Sequence, residues 1–412
     1  MGLELLMPAG NIEKLEYAIR YGADAVYLGV VDFSLRAMRK GELITLDNIK
    51  DAIAKAHELG AKAYLTLNIF AFNNDIRQLE EAIDIFNDAK PDAVILSDFG
   101  VFNLVRKRMP NTDIHISTQT NTLNYESVKF WRDLGASRVI LARELAIKDI
   151  AEIRRQVPDV ELESFVHGAQ CVSFSGRCLL SDYFSKGERK ANHGNCSQPC
   201  RWSYKLVEST RPNEYLEINQ DGRGSHILSP KDLCLVEYLP QLIDAGIDSL
   251  KVEGRTKSLY YVSAVAKAYR QAIDEILAGN KDDLHKYFLE LKKVGNRGYT
   301  TGFALGDNNG ESYSYDISKG LAGADFLCEF WNKKDDWYLV KVKNKMLPGD
   351  EIEIITPDEQ FTSKVLEIQD DKGLTLDVGN TNAEVYMKFS TAPKNYKYAM
   401  ARTIGIKNDF EA

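Results

Sequence analysis

Four of the six cysteines in this 412-residue chain lie in one stretch, at Cys171, Cys178, Cys196 and Cys200. Their spacings are C-x6-C, C-x17-C and C-x3-C, so only one pair is close. Thiolates are soft ligands that select zinc, copper(I) or iron–sulfur centres, and structural zinc sites usually contain two close cysteine pairs. The spacing therefore favours an iron–sulfur cluster, with a zinc site or reactive or structural thiols as the alternatives.

The remaining cysteines are predicted to be core residues. Cys234 lies in KDLCLVEYL, a pattern that indicates an amphipathic helix, and Cys328 lies in a strand pattern. Cysteine that binds no metal is among the most buried residue types, which agrees with this interpretation.

Charged side chains and one histidine follow two predicted strands, and they are the catalytic candidates. In KVEGRTKS, Glu253 and Arg255 come directly after the predicted strand Ser249–Val252 and should project beyond its end. A guanidinium group suits a carboxylate or phosphate, although a structural Glu–Arg ion pair is the alternative. His167 follows another strand and is a candidate metal ligand, proton donor or substrate contact, or else a structural histidine.

Two further predicted strands end in neutral polar side chains. The strand Asp113–Ser117 runs into STQTN, which offers Ser117, Gln119 and Asn121, and Asn68 follows an earlier apolar strand. Such donors and acceptors at strand ends are typical of substrate-binding sites in α/β barrels.

These residues depend on a repeated unit of strand, loop and amphipathic helix. The candidate strands are short and almost continuously apolar, as parallel strands covered on both faces are. They are Glu4–Met7, Ala25–Gly29, Ala61–Leu67, Ala93–Leu96, Asp113–Ser117, Arg138–Ala142, Glu161–Val166 and Ser249–Val252. The phrases YGADAV, LGAKAY, LGASRV and AGIDSL recur where a helix gives way to a strand. Eight such units predict an α/β fold with a (β/α)8 TIM-like barrel; an open flavodoxin-like sheet is the alternative, but the first loop, PAGN, lacks GxGxxG.

The predicted domains are a barrel over 1–280 with a cysteine-bearing insertion at 168–247, a helix and linker over 281–320, and a small C-terminal antiparallel β-barrel over 321–412. Loops after barrel strands lie at the catalytic face, so the insertion should belong to the functional end. Short strands with turns such as LPGD and DDKG indicate the second domain. Its predicted strands are Phe326–Phe330, Tyr338–Val342, Glu351–Ile355, Ser363–Ile368 and Glu384–Phe389.

Composition limits the possible partners. The formal net charge of −8 argues against a protein that coats nucleic acid, so any RNA contact needs a local basic patch. Neither a secretory signal nor a long apolar run is apparent, and we expect a cytoplasmic protein without a membrane segment. Neither GxSxG nor HExxH occurs, so no protease motif of these types supports peptidase activity. The insertion is the candidate for such a patch, through Arg177, Lys186, Arg189, Lys190 and Arg201; a solvated loop surface is the alternative.

Several motifs resemble one known family. LLMPAGN, GADAVYLG, HGAQCVSFSGRCLLS, GNCSQPCRW, KVEGRTKS and RGYTTGF are similar to segments of the collagenase-like peptidases, peptidase family U32, and the similarity runs through nearly the whole chain. The similarity is greatest to a subgroup that hydroxylates the wobble uridine of tRNA to 5-hydroxyuridine, without molecular oxygen and with prephenate. Other members hydroxylate ribosomal RNA or a ubiquinone precursor, and the family name implies a peptidase as the alternative.

The resemblance implies a role for each candidate residue. Cys171, Cys178, Cys196 and Cys200 would bind a 4Fe-4S cluster, although some relatives use a later cysteine, which makes Cys234 the alternative to Cys200. Prephenate would lie at the barrel mouth. The resemblance further implies that its carboxylates are bound by Arg255 and Lys257, and that tRNA phosphates are contacted by Arg189, Lys190 and the C-terminal domain.

Overall fold

The computed structural model describes residues 2–31, 33–34, 43–171, 173, 178, 180–185, 196–202, 230–306 and 322–406. Its first nine strands are β1 (Glu4–Pro8), β2 (Ala25–Leu28), β3 (Lys62–Leu67), β4 (Ala93–Leu96), β5 (Asp113–Ile116), β6 (Arg138–Ile140), β7 (Glu161–Ala169), β8 (Asp232–Cys234) and β9 (Ser249–Val252). The eight strands other than β8 pair with one another in parallel. The barrel closes because β9 pairs with both β7 and β1. The predicted eight-stranded TIM-like barrel is therefore confirmed.

Helices cover this barrel and connect its strands. In chain order they are α1 (Ile12–Arg20), α2 (Ile49–Glu58), α3 (Asn73–Ala89), α4 (Phe99–Arg108), α5 (Tyr125–Asp133), α6 (Ile147–Gln156), α7 (Leu180–Phe184), α8 (Leu239–Asp244), α9 (Leu259–Leu277) and α10 (His285–Lys292). The side chains of Asn11, Asn124 and Ser258 accept hydrogen bonds from the first turns of their helices. Gly60 and Gly135 follow helix ends with φ of 83° and 97°, a left-handed backbone that favours glycine. Among the helices of the described ranges, none has the length and apolarity needed to cross a bilayer.

The strand β8 corrects one sequence prediction. Cys234 ends this strand instead of lying in a helix, and a 3-10 turn and α8 follow it. The cause lies in β7, which continues to Ala169, where His167 to Ala169 pair antiparallel with β8. The short strand β10 (Tyr299–Thr300) pairs with the other edge of β8. Cys234 is nevertheless buried, as predicted.

A second barrel is formed by six antiparallel strands. They are β11 (Phe326–Lys334), β12 (Trp337–Val342), β13 (Glu351–Ile355), β14 (Gln360–Gln369), β15 (Glu384–Phe389) and β16 (Met400–Thr403). The order β11-β12-β15-β14-β13-β16 closes because β16 pairs with β11. The sequence predicted the first five strands and missed β16, which has only four residues and follows a polar, turn-rich stretch. Apolar side chains, among them Cys328, fill this barrel.

Buried cations join the two barrels. Arg402 on β16 donates to Glu353 at 2.6 Å and to the Tyr260 hydroxyl of α9 at 3.2 Å, and it also pairs with Glu290 of α10. The Lys267 ammonium group on α9 donates to the backbone carbonyls of Thr356 and Glu359, at 2.6 and 2.8 Å. Because both cations are buried at the joint, the second barrel is held against α9 and α10.

Candidate active site at the barrel mouth

Arg255 is held at the barrel mouth by neutral hydroxyl groups. It follows β9, is only 4% exposed, and donates to Ser34 Oγ and, at 2.8 Å, to Thr66 Oγ1. A Cβ atom at Gly29 would lie 2.2 Å from both Arg255 Nη2 and Thr66 Oγ1, so this position requires glycine. The guanidinium group is therefore fixed in place by residues from three segments of the chain.

A hydrogen-bonded network extends from Arg255 across the mouth. The hydroxyls of Ser34 and Thr66 are 2.8 Å apart, and Ser34 also donates to Asn68 Oδ1 at 3.4 Å. Asn68 Nδ2 donates to Gln119 Oε1 at 3.1 Å, and Ser117 Oγ donates to the same oxygen at 2.6 Å. The structure thus brings together Arg255 and three of the neutral residues that the sequence indicated.

Arg143 is a mouth residue that the sequence analysis missed. It lies just beyond β6, with its guanidinium carbon 3.9 Å from the centroid of the Phe165 ring. It donates to the carbonyl of Ala169 at 3.1 Å and lies 3.6 Å from Glu253 Oε2. A basic residue directly after a predicted barrel strand was the available signal. Arg143 and Arg255 therefore give the mouth two guanidinium groups, with the Glu253 carboxylate beside the first.

Two aromatic rings separate the cations at the floor of the mouth. The Lys251 ammonium lies 4.7 Å from the Tyr27 ring centroid and 5.5 Å from that of Phe165. The Arg255 guanidinium carbon lies 5.7 Å from the Tyr27 centroid. A ring face attracts a cation, so Tyr27 can stabilise both Lys251 and Arg255, and Phe165 both Lys251 and Arg143.

Below this floor, the barrel interior carries paired charges. Lys251 donates to Glu163 at 2.6 Å, Glu163 accepts from Arg138 at 3.0 Å, and Arg138 also pairs with Glu4. Burial alone would raise the pKa of the Glu4 carboxyl, but the Arg138 guanidinium and the hydrogen bonds from Tyr64 and Ser249 together lower that pKa. Burial lowers the pKa of Lys251, and Glu163 opposes that shift. Because each charge has an opposite partner, these ions can occupy an interior that is usually apolar in such barrels.

His167 lies in an aromatic enclosure beside α9, and its described contacts do not include the Arg255 network. It is 1% exposed, and its ring lies 5.3 to 5.9 Å from those of Tyr261, Tyr269 and Tyr299. The register of β7 against β9 shifts between Phe165 and His167, which changes the alternation expected of a regular strand. Burial, aided by the Lys257 charge, lowers the pKa of His167 to about 3, so the imidazole is neutral near pH 7.

The other predicted substrate residues lie at varied positions. The Lys257 ammonium donates to the Gly295 carbonyl at 3.2 Å, and it lies 3.7 Å from Asp232 of β8 and 5.0 Å from the Tyr261 ring centroid. Asn121 closes the 3-10 turn after β5 with φ of 56°. Its Oδ1 is buried and accepts no hydrogen bond within the described ranges. Arg189 and Lys190 lie outside the described residues.

The cysteines of the insertion lie beyond the end of β7. Cys171 and Cys196 are exposed, while Cys178 and Cys200 are partly buried. The backbone N–H of Leu180 donates to Cys178 Sγ at 3.4 Å, and that of Gln198 donates to Cys196 Sγ at 3.3 Å. Hydrogen bonds to the cysteine sulfurs are one of the features that tune iron–sulfur centres. The four-thiol donor set therefore fits a cluster, although no group of three metal-ligating side chains is assembled within the described part of the chain.

Cys234 has different surroundings. Its sulfur is buried and lies 4.0 Å from the Tyr269 hydroxyl. Burial raises the pKa of this thiol to about 12, which disfavours the thiolate that a metal requires. Its chemistry is therefore that of a protonated core thiol.

Comparison with known proteins identifies the family. The model of "Peptidase family U32" matches residues 10–314, and that of the "Peptidase family U32 C-terminal domain" matches residues 323–402. The chain is 39% identical to "tRNA hydroxylation protein P" of Haemophilus influenzae, over 91% of this chain and 90% of that protein. It is 36% identical to "23S rRNA 5-hydroxycytidine C2501 synthase" of Escherichia coli, over 68% of this chain and 40% of that protein. It is 33% identical to "Collagenase" of Porphyromonas gingivalis, over 75% of each. The chain belongs to peptidase family U32.

Proposed function

We propose that this protein hydroxylates RNA, and that its substrate is a wobble uridine of tRNA, converted to 5-hydroxyuridine. The observation that carries the proposal is the 39% identity to a tRNA hydroxylation protein over nine-tenths of both chains. The similarity to a ribosomal RNA hydroxycytidine synthase supports the same reaction class, hydroxylation of a pyrimidine at C5. Action on tRNA would take place in the cytoplasm.

Cys171, Cys178, Cys196 and Cys200 would hold a 4Fe-4S cluster in the insertion. A bound cluster would supply one-electron redox chemistry next to the barrel mouth. The N–H donors aimed at two of these sulfurs support the assignment, and the protonated state of the buried Cys234 thiol favours Cys200 over it as the fourth ligand.

The barrel mouth would bind prephenate as co-substrate. Prephenate carries two carboxylates, and the two guanidinium groups of Arg255 and Arg143 suit them, since each can form paired hydrogen bonds. We assign the second carboxylate to Arg143 instead of Lys257, because the Lys257 ammonium group contacts the Gly295 carbonyl, Asp232 and the Tyr261 ring. Ser117, Gln119 and Asn68 would orient the neutral part of the molecule.

Glu253 would accept a proton at the mouth, where its Oε2 lies 3.6 Å from Arg143. His167 would position the backbone at the end of β7 as a neutral imidazole, since with a pKa of about 3 it is not an imidazolium acid at neutral pH. Arg189 and Lys190 would contact tRNA phosphates.

Nucleoside mass spectrometry tests this function. RNA from a deletion strain should lack 5-hydroxyuridine and its derivatives, and purified protein should restore them in vitro with prephenate under anaerobic conditions. Loss of 5-hydroxycytidine from ribosomal RNA, with tRNA unchanged, would redirect the activity to the ribosome.

Peptidase activity is the second candidate, because of the similarity to a collagenase. It predicts cleavage of gelatin by the purified protein, with tRNA modification intact in the deletion strain. No other outcome of the two assays supports this candidate.

A further inference from the structure

Three aromatic rings lie exposed on the cysteine insertion. Tyr183 is 78% exposed, and Phe184 and Trp202 are each 42% exposed. The rings of Tyr183 and Phe184 are 5.2 Å apart in an edge-to-face arrangement, and those of Phe184 and Trp202 are 5.7 Å apart. We call these three residues the insertion aromatic cluster. A contiguous group of exposed rings on a protein surface usually marks a binding site.

The cluster is attached to the segments that carry the cysteines. α7, with Tyr183 and Phe184, begins two residues after Cys178, and Trp202 follows Cys200 by two residues. The hydroxyl of Ser181 accepts from the Ser197 backbone N–H at 2.8 Å and lies 3.0 Å from the Ser197 hydroxyl, which joins the two segments.

The charge of this segment indicates an anionic partner. Between Cys171 and Trp202 the sequence has five basic and two acidic residues, in a chain whose net charge is −8. Exposed aromatic rings among basic residues are the combination that binds single-stranded nucleic acid, because bases stack on the rings while the cations neutralise phosphates.

We propose that the insertion aromatic cluster is a stacking platform for an unpaired base of the tRNA anticodon loop, a proposal that rests on the tRNA function above. An enzyme that modifies a base acts on single-stranded RNA or extrudes the base from its stack, and in either case the neighbouring base lacks a stacking partner on that side. Trp202, close in sequence to Cys200, would supply that partner beside the reacting uridine. The protein would therefore bind RNA with an open loop in preference to fully paired RNA.

Binding of a fluorescent anticodon stem-loop, with a fully paired duplex of the same composition as reference, tests the platform. Trp202→Leu should weaken stem-loop binding by about tenfold or more, while Trp202→Phe should retain most of the affinity. The slope of affinity against salt should not change in Trp202→Leu, because stacking neutralises no phosphate. Duplex binding should be the same for all variants.

Trp331→Leu is the matched control, because Trp331 on β11 is 44% exposed but lies on the second barrel. The proposal is overturned if Trp202→Leu binds the stem-loop as the parent does, if Trp331→Leu carries the loss instead, or if the parent does not bind the stem-loop. It is also overturned if Trp202→Leu loses binding only to lipid vesicles or to a protein. A parent that binds the stem-loop through Trp202 but forms no 5-hydroxyuridine would refute the proposed reaction and leave the platform standing.

Discussion

Replacement of Arg255 should separate the two properties of its guanidinium group, charge and paired geometry. Arg255→Gln removes the charge, whereas Arg255→Lys keeps the charge but loses the fork that reaches both Ser34 and Thr66. A hydrogen bond to a charged group contributes about 1.5–3 kcal/mol, so losing both bonds to a carboxylate costs about 3 kcal/mol or more. A free-energy loss of this size lowers kcat/KM about 100-fold in Arg255→Gln. Arg255→Lys loses one of the two hydrogen bonds, which lowers kcat/KM about tenfold.

The assay is anaerobic turnover of tRNA at varied prephenate concentrations, with 5-hydroxyuridine measured by mass spectrometry. The loss should appear mainly in KM for prephenate, with tRNA affinity unchanged. Arg106→Gln on the exposed side of α4 is the control and should match the parent. An unchanged KM for prephenate in Arg255→Gln, or equal losses in Gln and Lys, would refute the assignment of a carboxylate to this guanidinium.

Three other measurements follow from the structure. Protein purified without oxygen should contain about four iron and four sulfide per chain. Cys178→Ala and Cys200→Ala should lose the cluster absorbance, and Cys234→Ala should keep it. Stoichiometric zinc without sulfide would contradict the cluster. Lys251→Met should lower the free energy of unfolding by about 3 kcal/mol in urea titrations, because it removes one partner of a buried ion pair; a change under 1 kcal/mol would mean that Arg138 alone satisfies Glu163. Burial lowers the pKa of Lys267 to about 8, so between about pH 8 and pH 10.5 the unfolded chain binds more protons than the folded protein. The contribution of Lys267 to the urea midpoint should therefore rise with pH over that range. Subtracting the profile of Lys267→Met isolates that contribution, and parallel profiles would exclude it.

The fold could be predicted because its strands are covered on both faces, which leaves short apolar runs between polar helices. The helix-to-strand joints at Gly60 and Gly135 reinforced the pattern, because a left-handed residue there is visible as glycine. The strands β8 and β16 were not predicted. Both are short, and their pairing depends on an edge offered by a distant segment, β7 in one case and β11 in the other.

The candidate site was predicted in part, because polar residues after barrel strands meet at one end. Arg255, Asn68, Ser117 and Gln119 were found in this way and share a network. The position of His167 could not be predicted, because the register of β7 against β9 shifts between Phe165 and His167. The hydroxyl groups that accept hydrogen bonds from Arg255 could not be predicted either, since Ser34 and Thr66 come from separate segments with no motif in common.

The alternating charges inside the first barrel have a consequence for how its sequence can change. In an apolar barrel interior, one aliphatic side chain can replace another singly at modest cost. Here a neutral replacement at Glu163 would leave Lys251 without its carboxylate partner, and Arg138 would keep only Glu4 and the partly exposed Glu161. Natural variation at these positions should therefore occur as coordinated exchanges across β1, β6, β7 and β9. Grafting a new mouth onto this scaffold would require all four strands to be transferred together.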